Sequence, residues 1–90
     1  MFTPKKITMY SVNPEDPEDR TVLAVFELKG DKVDATFHGP NAKDLEAEME
    51  RDGLYDSERK RYLRPKDGAD FMQFFPSAYP RASFVAIEVD

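Results

Sequence analysis

Apolar and polar positions alternate most regularly over residues 21–38, T-V-L-A-V-F-E-L-K-G-D-K-V-D-A-T-F-H, where two apolar-rich runs flank Gly30-Asp31. A two-residue connection with glycine first is the sequence of a type II′ hairpin turn, whose twist matches that of the strands it joins. Pairing outward from the turn sets Leu28 opposite Val33, Phe26 opposite Ala35 and Ala24 opposite Phe37, all on one face, with Val22 extending the set. The reverse face then carries Thr21, Leu23, Val25 and Glu27 against Asp34, Thr36 and His38. A slip of one residue would exchange the two faces, so this separation specifies the register.

A helical period replaces the alternation near the C-terminus. Phe71, Phe74 and Phe75 stand at i, i+3 and i+4 and put three rings on one side of a short helix. Asp67 is the expected cap, Gly68, Ala69 and Asp70 the first turn, and Pro76 the stop, since proline lacks the N–H that continues the ladder. Three rings on barely two turns need a surface to cover them. A β-sheet is the expected surface, with all three rings in the core.

The remaining segments follow from their punctuation. Ile7–Val12 reads as a first strand, rich in β-formers. Residues 13–20, N-P-E-D-P-E-D-R, hold two prolines and no apolar side chain, so they predict an exposed connector rather than a strand. Asn41 is placed to cap a helix over Ala42–Asp52, with Gly53 at the left-handed position beyond it. Ala42, Leu45 and Met49 form its narrow apolar stripe, and its other faces are acidic. Residues 54–64 admit two readings, one or two helical turns after Ser57 or a short edge strand over 60–63. In both, Tyr55, Tyr62 and Leu63 tuck against the fold and the arginines point out. Residues 77–82 read as a turn. Phe84–Val89 is a terminal strand, apolar on both faces and therefore expected in the middle of the sheet.

The order β-β-β-α-α-β, with a short element between the helices, predicts an α+β fold. It is a two-layer sandwich with an about four-stranded, mainly antiparallel sheet and two helices on one face. Ninety residues suit one domain over the whole chain, 1–90. No cysteine is present, which removes disulfides, thiolate metal sites and thiol nucleophiles. The N-terminus has no apolar leader and no run approaches a membrane span, so a cytoplasmic protein with no membrane contact is expected.

A net charge of −5 argues against a general nucleic-acid binder, but its distribution matters more than its sum. Acidic residues concentrate at 15–19 and 44–52, and basic ones at 59–66. Within the basic run, Arg59, Lys60, Arg61, Tyr62 and Arg64 combine arginine with an aromatic ring, the usual composition of a protein-binding hot spot. These five are the candidate partner-binding residues, with nucleic acid as the alternative ligand of the same run. On the acidic helix, Asp44 with Glu48 and Glu46 with Glu50 lie at i, i+4, normally a solvated face.

Catalytic chemistry has thinner support. His38 is the sole histidine and shares a predicted face with Asp34 and Thr36, yet no nucleophile or oxyanion donor is spaced to join it. A hydrolase using His38 is therefore the weakest of the three readings. The four glycines are scattered without a phosphate loop, and the acidic run lacks the calcium-loop alternation, so neither cofactor nor metal is expected. Leu23 and Val25, on the face opposite the helices, suggest a homodimer through the sheet, unless the N-terminal segment with Phe2 folds across them.

Overall fold

The computed structural model describes residues 3–51, 53–78 and 85–90. Their order is β1 (Lys6–Asn13), β2 (Asp16–Lys29), β3 (Lys32–Phe37), α1 (Ala42–Arg51), β4 (Leu54–Asp56), β5 (Arg61–Leu63), a 3₁₀ turn (Pro65–Asp67), α2 (Ala69–Ala78) and β6 (Val85–Val89). Strands β3-β2-β1-β6 form a four-stranded antiparallel sheet, and β4-β5 form a separate two-stranded hairpin. Both α-helices contribute buried side chains to one core with the inner face of the sheet. The fold is α+β, as the pattern predicts.

The β2–β3 hairpin has the predicted register, Ala24 to Phe37, Phe26 to Ala35 and Leu28 to Val33. Gly30 takes a φ of 66° while Asp31 stays at negative φ, the combination a type II′ turn requires. Ile7, Met9, Ala24 and Phe26 are fully or almost fully buried beneath the helices. Phe26 is the hub, with ring centroids at 5.1 Å from Phe71, 5.0 Å from Phe75 and 5.9 Å from Phe37.

One irregularity changes which side chains face the helices. Met9 pairs with Ala24 but Tyr10 pairs with Val22, so Leu23 has no partner in β1 and forms a β-bulge. The bulge breaks the alternation. Leu23 turns to the helix side and packs on the core beside Ala24, whereas Val22 shares the open face with its partner Tyr10. This corrects the expectation that Val22 extends the core face and that Leu23 joins Val25 on the other. An extra residue in one strand resets the phase of everything beyond it, and alternation counted from the turn carries no sign of it.

Four other expectations change. Residues 13–20 are exposed as predicted, but β2 begins at Asp16 and only Pro14-Glu15 make the turn from β1. Pro17 is tolerated because β2 extends past the end of β3 there, so its missing N–H costs no bond to that strand. β6 lies at the sheet edge beside β1, not in the middle. Its outer face holds only small Ala86 and exposed Glu88 among described residues, which a burying neighbour would not suit. α2 passes through Pro76 to Ala78, since a proline in the last turn removes a single bond to the Met72 carbonyl. Finally, α2 buries Phe71, Met72 and Phe75 completely, while Phe74 is half-buried at the rim. Ser77 and Ala78, expected in the turn over 77–82, close α2 instead, while Phe2, Asp52, residues 79–82 of that turn and Phe84 lie outside the described residues.

α1 keeps the predicted narrow stripe, with Met49 buried and Leu45 half-buried. Asn41 supplies the first carbonyl of the ladder, to the Leu45 N–H at 3.0 Å, and Gly53 beyond the end has φ of 57°. No helix among the described residues is long and apolar enough to cross a membrane.

Candidate protein-binding surface

The segment 54–64 forms a hairpin because its residues alternate in both directions from a four-residue turn. Leu54 pairs with Leu63 and both are buried on the core; Tyr55 pairs with Tyr62 one position on, and both must face outward. The tyrosines are 52% and 54% exposed, with centroids 5.1 Å apart in an edge-to-face arrangement. They do not tuck against the fold as expected. The cross-strand leucines take that place, and period two leaves the tyrosines outside.

Asp56, only 3% exposed, builds the turn. Its Oδ1 accepts the N–H of Glu58 at 3.0 Å and of Arg59 at 3.4 Å, and Lys60 completes the reversal in the left-handed region with φ of 56°. Oδ2 of Asp56 accepts no hydrogen bond, and Arg59 Nε lies 3.6 Å from it.

Arg59 and Arg61 are exposed, as expected, but their guanidinium groups pair with carboxylates of the fold. Arg59 also pairs with Asp70 and places its guanidinium 5.8 Å from the centroid of Phe74. Arg61 reaches Asp70 at 3.4 Å and Asp67 at 3.7 Å. Arg64 is half-buried, and its backbone N–H donates to the Asp67 carboxylate at 2.8 Å. Asp67 therefore closes the 3₁₀ turn rather than capping α2 directly. Asp70 sits in the first turn of α2, where a carboxylate is already favoured by the helix dipole. The basic run is thus stitched to the start of α2.

Of the five residues singled out, Arg59 and Arg61 are engaged by carboxylates of the fold, and Arg64 is half-buried. All but Arg64 are exposed, and Lys60 and Tyr62 have neither an ion pair nor a hydrogen bond among the described residues. Tyr55 belongs beside them, and the alternation of L-Y-D was its only signal in the sequence.

His38 and Asp34 are not brought together. Four residues along an extended chain separate them by roughly 13 Å, and Asp34 pairs with Lys29 at 3.7 Å near the hairpin turn. The His38 N–H donates to the Leu23 carbonyl at 2.8 Å, and the residue is among those lining a groove of about 360 Å³ between the sheet and α1. Among the described residues no group of three or more His, Asp or Glu side chains is placed to hold a metal ion. Comparison with family models, curated proteins and solved structures returns no match.

Proposed function

We propose that the chain is a non-catalytic protein-interaction module whose contact surface is the outward face of the β4–β5 hairpin. Tyr55 and Tyr62 are its anchors and Lys60 its charged tip, with Arg59, Arg61 and Arg64 as the basic surround that holds the hairpin in place. The observation that carries this reading is the cross-strand tyrosine pair, more than half exposed on both members. Tyrosine offers large contact area at low entropic cost, and a ring pair already ordered loses little more freedom on binding.

The charge balance within the fold favours a protein over a nucleic acid. Between Asp56 and Asp70, the cations Arg59, Lys60, Arg61, Arg64 and Lys66 stand against Asp56, Glu58, Asp67 and Asp70, five against four. A surface so nearly neutralised offers little to a phosphate backbone. The partner it suits presents an apolar pocket for two rings and a carboxylate for Lys60.

The test is capture from native lysate, with and without nuclease, by the wild-type chain and by Tyr55→Ala/Tyr62→Ala. A protein partner that survives nuclease and is lost with the double variant supports the proposal. Equal capture by the variant rejects it, and loss on nuclease treatment moves the surface to nucleic acid. Charge reversal at Arg61 is a poorer probe, because a new carboxylate there would face Asp67 and Asp70.

Self-association through the sheet keeps a narrower footing. Val22, Tyr10 and Ala86 pair in one row of the open face beside Val25, all half-buried and uncovered by the described helices. A homodimer would use this row, without Leu23, and light scattering over a concentration series decides it.

A further inference from the structure

We infer that the groove between α1 and the bulged end of β2 is a docking site for a basic side chain of a partner polypeptide. This surface is separate from the tyrosine hairpin and does not depend on it. Its floor is apolar, made by half-buried Leu23 and Leu45, and exists because the bulge turns Leu23 toward the helix. Its rim is acidic. Asp44 and Glu48 stand one helical turn apart on α1, exposed, and neither has an ion-pair partner among the described residues.

Like charges at i, i+4 destabilise a helix until a cation comes between them. An apolar floor beneath two carboxylates is complementary to a side chain with an alkyl stem and a cationic head, that is, to lysine or arginine. The volume of about 360 Å³ has room for one long side chain. His38, Asn41, Asp44 and Glu48 leave the rim open to solvent. A free small cation would keep much of its surface in water there. A polypeptide instead anchors one residue in the groove and lays its neighbours along the rim.

The probe is a capped peptide, Gly-Leu-Arg-Lys-Gly, titrated into the isotope-labelled full chain and followed by amide shifts. Saturable shifts at Leu23, His38 and Leu45, weakening as salt rises, are expected. Asp44→Asn/Glu48→Gln, two exposed and near-isosteric changes, should weaken binding about tenfold by removing two surface ion pairs with the peptide. The inference is overturned by an absence of shifts at millimolar peptide, by shifts confined to Tyr55 and Tyr62, or by unchanged affinity of the double variant. Equal affinity for n-butylguanidinium would also overturn it, by making the occupant a small free cation.

Discussion

Gly68 and Asp31 meet backbone to backbone: a Cβ on Gly68 would lie 2.0 Å from the Asp31 carbonyl oxygen. The contact docks the start of α2 onto the β2–β3 turn, and Gly68 makes it at φ of 61°. Gly68→Ala carries backbone strain of about 1–3 kcal/mol and must also push the two elements apart. A fall in melting temperature of roughly 10 °C or more is expected for a domain of this size. Gly30→Ala has open space around it and should lose less, so equal melting of the two variants would argue against the contact.

Arg59 ties three parts of the structure together, Asp56 in the turn, Asp70 on α2 and the face of Phe74. Arg59→Ala leaves buried Asp56 without its cation and should cost about 1–3 kcal/mol. Lys60→Ala, next in the chain but without an ion pair, should stay within about 0.5 kcal/mol of wild type. Urea unfolding of both separates a paired arginine from an unpaired lysine; similar midpoints would contradict a stabilising role for the Arg59 pairs.

Phe75 and Phe74 are neighbours with unequal burial. Phe75→Ala removes a fully buried ring in contact with Phe26 and Phe71 and should cost about 3–5 kcal/mol. A small domain has a total stability on the order of 5 kcal/mol, so that variant should be largely unfolded on warming. Phe74→Ala should be milder, and calorimetry showing the reverse order would refute the orientation of α2.

The bulge makes a prediction about two adjacent residues. Leu23→Asp places a carboxylate over the core beside Asp44 and Glu48 and should cost about 1–3 kcal/mol. Val22→Asp points to the open face beside Tyr10 and Arg20 and should cost less than about 1 kcal/mol. An uninterrupted alternation from Gly30 would invert that ranking in chemical denaturation.

Where interactions are local, the residues along the chain were enough to specify the outcome. The β2–β3 register follows from Gly30-Asp31 and the alternation on either side, and α1 from Asn41, its apolar stripe and Gly53, each within one element or one turn. The rest was set by packing between distant segments. The bulge at Leu23 depends on how β1 lies against β2, and the edge position of β6 on which flank of β1 was free. Arg59 and Arg61 are paired because Asp70, eleven and nine positions away, is brought beside them by the packing of α2. Tyr55 and Tyr62 face outward because Leu54 and Leu63 take the core side of the hairpin. A basic run reads the same whether its charges meet solvent or a neighbouring carboxylate. The choice is made by contacts distant in the chain, which short-range periodicity does not encode.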